Sequence, residues 1–406
     1  MLLTGAAILL LGNGLFGTLL GVRANLENFG LTEIGMIMAA YFLGYVVGSF
    51  VCARTVHQVG HIRTLAAVSA ILAATAIAHA IFVDPVVWGV LRLVTGFCIV
   101  GFFLVIESWL NSLAPPTVRG RVFSLYMLVN LLAIAIGQFL LAVADARDFV
   151  LFGLVTILFS LSLVPTALTQ VDAPPPQDAG GLGLARLYEA SPVGVLGCLT
   201  CGLVTGSFWG LGAVFGSKLA LSQIGIASFM SAVILGGAVA QWPIGSISDR
   251  IDRRKVIVSV AAVGSGAAFL TLVVSTHSFV ALLGTAALLG ASMFSLYSLS
   301  VARTHDVLGQ ENVLAATRGL VLVFGIGAVI GPLTTGVIMD SFGAVWMFGW
   351  YGLIFVLFAG FSLYRMRRGE IVPPADQSTF VPLLRTSQEA IEIAEARNLP
   401  TDTGGD

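Results

Sequence analysis

Two ionisable residues, Arg92 and Glu107, lie inside one long apolar stretch of the sequence and are its first candidates for chemistry. Inside a membrane such groups cost about 2.5–3.5 kcal/mol or more, and they usually face a cavity or a partner. In a helix the two residues would lie roughly 60° apart around the axis and about 22 Å apart along it. Arg92 could hold a substrate anion or modulate a proton site, and Glu107 could be the group that binds the proton.

Both residues also have structural interpretations, which the sequence leaves open. Arg92 could bond to backbone carbonyls or to lipid headgroups. Glu107 could form a fixed hydrogen bond to Tyr126, Asn130 or Arg121 in the following apolar stretch. Buried polar groups in membrane helices commonly bond across helices in this way, so each role needs a separate test.

The elements that position these residues follow from the composition of the chain. Hydrophobic residues make up 57% of the 406 residues and charged residues 10%, and the mean hydropathy is +0.97. A helix needs about 20 apolar residues to cross a membrane, and it satisfies its own backbone hydrogen bonds there. The sequence therefore predicts an all-α membrane protein with twelve transmembrane helices. The predicted spans are 2–22, 33–53, 64–82, 86–108, 122–143, 149–168, 193–216, 225–247, 256–275, 279–301, 313–338 and 345–364.

The distribution of basic residues predicts the orientation. Loops on one side of the predicted helices and the start of the tail carry most of the arginine and lysine residues. Loops on the other side carry Arg23, Arg147 and Lys218. Because cytoplasmic loops are enriched in these residues, we expect both termini to be cytoplasmic in a multi-pass protein of the bacterial inner membrane.

The chain also contains a weak internal duplication. The basic loop after the second span recurs about 192 residues later, and an Arg-Gly pair recurs about 199 residues later. A proline- and glycine-rich segment separates the two copies. We therefore expect two pseudo-symmetric six-helix bundles with a site between them. The predicted units are bundles at 1–169 and 192–368, a cytoplasmic linker at 170–191, and a cytoplasmic tail at 369–406 with a short helix.

The loop after the eighth span carries the most specific motif, from Gly245 to Lys255. It resembles the Gly-x-x-x-Asp-Arg-x-Gly-Arg-Arg/Lys signature of the major facilitator superfamily, with Asp252 in place of the second glycine. The resemblance implies a transporter fold whose cytoplasmic gate is held by this aspartate and these arginines. Gly245 would permit close helix approach. The implied gate residues are Asp249, Arg250, Arg253 and Arg254.

The first-half copy of this loop departs from the signature. His57 stands where the aspartate is expected, whereas Gly60 remains. His57 could make the gate sensitive to pH, or it could be a neutral histidine at the membrane interface. The turn that ends in Arg119 also resembles the superfamily. In the second half we expect Arg318 to pair with Asp249, or Glu311 with Arg250.

Further stretches narrow the resemblance to the YcaD-like branch of bacterial major facilitator proteins. They are Glu107-Ser108 with a downstream Arg119-Gly-Arg121, Gln241-Trp-Pro-Ile-Gly245, and Phe294-Ser-Leu-Tyr297. The resemblance covers the twelve spans and supplies no substrate. It also implies a bending segment in span eleven, formed by Gly327, Gly331 and Pro332.

The same resemblance assigns other polar residues to helices that line the cavity of this fold. Each of them also fits an interhelical hydrogen bond. Tyr297 occupies roughly the position in the second half that Glu107 occupies in the first. The candidates beyond Arg92 and Glu107 are Asn13, Tyr126, Asn130, Trp209 and Tyr297.

Together these patterns predict a secondary transporter that moves a small organic solute or drug-like amphiphile by alternating access with proton coupling. Two alternatives stay open: an uncoupled facilitator of a neutral solute, and a non-transporting receptor or assembly factor on the same fold. No nucleotide-binding motif occurs, and no nucleophile is paired with a base, so we expect no enzyme activity. We expect a monomer in the lipid bilayer, with no cofactor, no metal and no nucleic-acid partner.

Overall fold

The computed structural model describes most of the chain. Glu311, the predicted tail helix and most of the predicted linker lie outside the described residues. The side chains of Arg119, Val313 and Leu314 are also outside them. The described residues are 1–115, 118–168, 183–308, 313–367, Pro373, Gln377, Ser378 and Phe380.

Within these residues, twelve helices are long and apolar enough to cross a membrane, which confirms the predicted number. The fifth continues through a 3₁₀ turn at Leu140–Val143, and the sixth through a short helix at Leu163–Ala167. The helices of the first half are α1 Leu2–Leu26, α2 Leu31–Val59, α3 His61–Ile81, α4 Pro85–Leu113, α5 Arg119–Phe139 and α6 Phe149–Leu161. Those of the second half are α7 Pro192–Lys218, α8 Gln223–Ser248, α9 Arg253–Val274, α10 Phe279–Leu308, α11 Val313–Phe342 and α12 Trp346–Met366.

Local sequence signals decide where several helices begin. The Asp84 carboxylate accepts hydrogen bonds from the backbone N–H groups of Val86 and Val87 at 2.9 and 3.0 Å. Pro85, which has no N–H to satisfy, takes the first position of α4. Gly60 separates α2 from α3 with φ of +88°, a conformation that glycine adopts without steric cost.

The last part of the predicted linker contains a short helix. A helix at Leu184–Ala190 occupies its last part and directly precedes α7. Leu187 on this helix is fully buried, so the helix packs on the second half and is not a free connection. Seven residues are too short a stretch for hydrophobic periodicity to predict this helix.

Small residues allow the helices of each half to pack closely. A Cβ atom on Gly44 of α2 would collide with the carbonyl oxygen of Leu93 on α4. In the second half, Gly327 and Gly331 of α11 lie against the backbone of α7, and a Cβ on either would meet a carbonyl oxygen there. Pro332 lies inside α11.

The two ends of the molecule differ in charge. We call the end that carries Arg54, Arg63, Arg250, Arg254 and Lys255 the basic end, and the other the opposite end. Hydrogen bonds between the two halves are found in the part of the molecule toward the opposite end. They join Asn25 to Ser217 (2.8 Å), Thr32 to Asp340 (3.2 Å), Gln223 to the Ala144 carbonyl (3.0 Å) and Ser231 to the Ala135 carbonyl (2.9 Å).

Close backbone approaches follow the same distribution. Gly35 of α2 faces Pro332 and Gly336 of α11, and Gly21 of α1 faces α7. Among the described residues, the hydrogen bonds and these close approaches between the halves therefore lie toward the opposite end.

Candidate functional site

The Glu107 carboxyl group is the centre of a buried polar cluster. It is 2% exposed and accepts a hydrogen bond of 3.2 Å from the Tyr126 hydroxyl of α5. Glu107 lies six residues before the end of α4, which places it about 9 Å from that end of the helix. It therefore sits toward the basic end, where the halves have fewer contacts.

Three more polar side chains extend this cluster toward the second half. Asn130, one turn after Tyr126, is buried beside the Tyr126 hydroxyl. The Tyr45 phenol of α2 lies near both Tyr126 and Tyr297. Tyr297 is 5% exposed and packs edge-on against Phe324 at 5.2 Å between ring centroids. Polar groups from α2, α4, α5 and α10 thus converge where the halves meet.

Two other sequence candidates lie around this convergence. Asn13 is half-buried at the middle of α1, and its amide forms no hydrogen bond with the described residues. Trp209 of α7 packs beside Leu131, Ala135 and Ile234, the apolar cluster that joins α5 to α8.

Arg92 is separate from this cluster, as its spacing from Glu107 predicts. It is 5% exposed, and its guanidinium lies over the Tyr41 ring of α2 at 4.3 Å from the ring centroid. It forms no hydrogen bond or ion pair with the described residues. The Arg92 Nε is buried without a partner, so the ring face is the main compensation that the structure provides for this charge.

The gate motif forms a compact charged cluster at the basic end. Arg253, the first residue of α9, donates from Nη1 to both carboxylate oxygens of Asp306 on α10 at 2.7 Å. Its Nη2 also contacts Asp249 at 3.2 Å, and its Nε donates to the Ser248 hydroxyl at 3.0 Å. Both Arg253 and Asp306 have fully buried side chains. The motif therefore joins the end of α8 to α9 and α10.

The predicted pairing of Asp249 with Arg318 is wrong for this structure. Asp249 binds Arg253 and the backbone N–H of Phe380, and Arg318 lies half-buried on α11. The alternative pair of Glu311 with Arg250 cannot be described because Glu311 lies outside the described residues, and Arg250 is exposed. Asp249 is the C-cap residue of α8, and Arg253 begins α9 four residues later. Sequence spacing alone did not predict that these two residues form the ion pair.

The remaining gate candidates occupy different environments. His57 is exposed on the last turns of α2, and Arg119 begins α5 with its side chain outside the described part of the chain. Arg254 pairs with Asp252 at 2.8 Å. Burial by itself would raise the pKa of Asp252. The hydrogen bonds from Arg254 and its positive charge together lower the pKa by a larger amount, so the pKa of Asp252 is below the ordinary value.

Three features of the site were missed by sequence reasoning. Tyr45 was one of two tyrosines in an apolar span, and Asp306 lay just beyond the end of another span, so neither matched a motif. His61, at the first position of α3, hydrogen-bonds through Nε2 to the Ser108 hydroxyl at 2.6 Å. Its ring stacks on Trp109 at 5.6 Å, beside Glu107 in sequence. Only the packing of α3 on α4 brings these residues together.

The arrangement suits the binding and movement of a solute. Within the described part of the chain, no three His, Cys, Asp or Glu residues are grouped as a metal site would require. Cys198 and Cys201 are free and buried. The polar side chains that converge where the halves meet carry phenol, amide, indole and carboxyl groups, and the charged cluster lies at the basic end.

Solved structures share this fold. A single-residue variant of the nucleoside transporter NupG aligns with a TM-score of 0.74 and 14% identity, covering 90% of this chain and 99% of that one. A bacterial homologue of the human lysosomal transporter Spinster, in an inward-facing and unoccupied conformation, aligns with a TM-score of 0.74 and 13% identity, covering 94% and 98%. At such low identity the similarity establishes the fold alone.

The fold and the polar cluster between its halves define a polytopic membrane transporter. The sequence model of the Major Facilitator Superfamily matches residues 2–217 and 194–397, and the chain belongs to that family. Among its relatives is the uncharacterized MFS-type transporter YcaD of Escherichia fergusonii, 25% identical over 367 residues, covering 89% of this chain and 92% of the relative. YcaD of an Escherichia coli strain is 26% identical over 368 residues with the same coverage. The predicted resemblance to the YcaD-like branch is thereby confirmed.

Proposed function

We propose that this transporter moves a small organic solute by alternating access, with its basic end in the cytoplasm of a bacterial inner membrane. The positive-inside rule supports that orientation and places both termini in the cytoplasm. The observation that carries the proposal is the convergence of Tyr45, Glu107, Tyr126, Asn130 and Tyr297 where the halves meet. Phenol and amide groups recognise a neutral or weakly charged organic solute better than a polyanion.

The distribution of contacts supports an inward-open state. Among the described residues, hydrogen bonds and close backbone approaches between the halves lie toward the opposite end. Alternating access would then exchange the contacts at the opposite end for contacts at the basic end. In this proposal the moving units are the bundles at 1–169 and 192–368, and the monomer is the working unit.

Proton coupling is assigned to Glu107. A buried carboxyl group that accepts from Tyr126 and lies near the open end can gain or lose a proton as its surroundings change between states. The isolated Arg92 is assigned to an anionic group of the solute or to modulation of the proton site. Neither assignment requires a cofactor.

The experiment is a thermal-shift screen of the purified protein against metabolites and amphiphiles at pH 6 and pH 8. A ligand at 100 times its dissociation constant stabilises the folded state by about 2.7 kcal/mol. We expect ligands whose affinity depends on pH in the wild type and not in Glu107→Gln. Glu189→Gln is the matched control, because Glu189 is an exposed carboxylate on the short helix before α7.

The other outcomes separate the alternatives. A ligand that binds equally at both pH values, with or without Glu107→Gln, would contradict proton coupling and favour an uncoupled facilitator. If no ligand in the panel stabilises the protein, the solute-transport proposal loses its support, and a non-transporting receptor becomes the better explanation.

A further inference from the structure

The tail returns to the basic end and binds the charged cluster there. Ser378 donates from its backbone N–H and from its hydroxyl to Asp306 at 2.8 and 2.7 Å. Its carbonyl oxygen accepts from Arg253 Nη2 at 2.6 Å, and the Phe380 N–H donates to Asp249 at 2.9 Å. These hydrogen bonds, which we call the tail contact, link two tail residues to α8, α9 and α10.

The tail contact also has an apolar part. The Phe380 side chain is 8% exposed and lies on Gly245, near the end of α8. A Cβ atom on Gly245 would collide with the Phe380 ring. Gly245, the glycine of the gate motif, therefore accommodates an aromatic ring of the tail. The predicted role of Gly245, which is close approach of another helix, does not explain this contact.

The charges at the basic end indicate what the tail contact does. Exposed arginines of the first half, including Arg54, Arg63 and Arg121, would approach the second half when this end closes. The second half has its own basic residues there, so closure needs accessible carboxylates to offset like-charge repulsion. Asp249 and Asp306 could provide them, but in this structure both carboxylates are engaged by Arg253 and the tail.

We propose that the tail contact, made by Ser378 and Phe380 with Gly245, Asp249, Arg253 and Asp306, is an intramolecular restraint that keeps the basic end open. Release of the tail removes its hydrogen-bond donors from the Asp249 and Asp306 carboxylates. These carboxylates can then offset the charge of the first-half arginines, which permits closure of the basic end. The tail thereby sets the balance between the two states of the transporter.

The first measurement tests docking in the full-length protein in detergent, by hydrogen–deuterium exchange of peptides that contain Phe380. Gly245→Ala displaces the ring without altering a charge, and Phe380→Ala removes it. We expect the Phe380 amide to exchange at least about tenfold faster in both variants, because a hydrogen bond to a charged group is lost. Gly266→Ala on α9 is the matched control, since a Cβ there meets nothing within 4 Å.

The second measurement tests the effect on conformation. Spin labels on Gln58→Cys and Lys255→Cys, both exposed at the basic end, report the distance between the halves, and the native cysteines are buried. We expect the ratio of closed to open states to rise at least about tenfold in Gly245→Ala and Phe380→Ala, and to stay unchanged in Gly266→Ala.

The two measurements distinguish the possible failures. Wild-type exchange at Phe380 in both variants would overturn docking. Faster exchange with an unchanged distance distribution would overturn the restraint. The inference depends on the proposed alternating access only through the distance measurement. Suppose that exchange at Phe380 becomes faster in the variants, but no variant and no bound solute changes the distance between the spin labels. That result would contradict the proposed alternating access and would still support docking of the tail.

Discussion

The Arg253 guanidinium contacts both carboxylate oxygens of Asp306 at 2.7 Å, and both side chains are fully buried at the basic end. Arg253 belongs to the gate motif, whereas Asp306 lies 53 residues later on α10. The pair ties the loop between α8 and α9 to a helix that the motif alone does not involve.

Removing one partner of this pair should destabilise the protein more than removing any exposed charge nearby. Arg253→Met leaves the Asp306 carboxylate buried without its main cation, at a cost of about 3–5 kcal/mol. Lys255→Met, at an exposed position two residues away, should change stability by less than about 1 kcal/mol. Thermal unfolding in detergent measures both. Equal, small effects would show that the pair contributes little to folding.

The Asp252–Arg254 pair should add a small pH-dependent stability. The folded-state pKa of Asp252 lies below the ordinary value of 3.8, so its contribution is present above that value. It is lost as the pH falls through the lower folded-state pKa. Asp252→Asn should cost under about 1 kcal/mol at pH 7, and the difference from wild type should shrink below about pH 4.

Arg254→Gln provides the complementary test of the same pair. It removes the cation, so Asp252→Asn in that background should cost less than it does in the wild type. The measurement is the melting temperature of the four proteins at pH 7 and pH 4. A cost that is identical in both backgrounds would contradict the pairing as the source of the pH dependence.

Arg92 should be dispensable for stability and required for function. Its charge is buried over the Tyr41 ring and lacks a hydrogen bond among the described residues, so Arg92→Met removes an expensive burial. We expect the melting temperature to stay the same or rise, while binding of anionic solutes in the thermal-shift screen is lost. A fall in stability by about 1–3 kcal/mol would instead support bonds to carbonyls or headgroups.

Much of the fold could be predicted because the relevant signals are local. A spanning helix must contain about 20 apolar residues, so twelve such stretches were enough to count the helices. Asp84 and Pro85 were enough to begin α4, since a cap depends on the next three residues. The short helix at Leu184–Ala190 was not predicted, because its buried Leu187 depends on packing against the second half.

The candidate site was less predictable because its contacts join distant parts of the chain. The sequence identified Glu107 and Tyr126, which bond to each other, yet it paired Asp249 with Arg318 when the structure pairs it with Arg253. Motif spacing says which residues share a loop, and it does not say which helix end packs beside that loop.

The sequence by itself determined the membrane class, the number of helices, the family and most polar positions, because hydropathy and motifs are properties of consecutive residues. Only the tertiary structure decided that Asp306 pairs with Arg253 of the gate motif, that Tyr45 comes near both Tyr126 and Tyr297, and that the Phe380 ring lies on Gly245. Each of these contacts depends on how separate helices pack, and packing is decided by the shapes and charges of surfaces that are far apart in the chain.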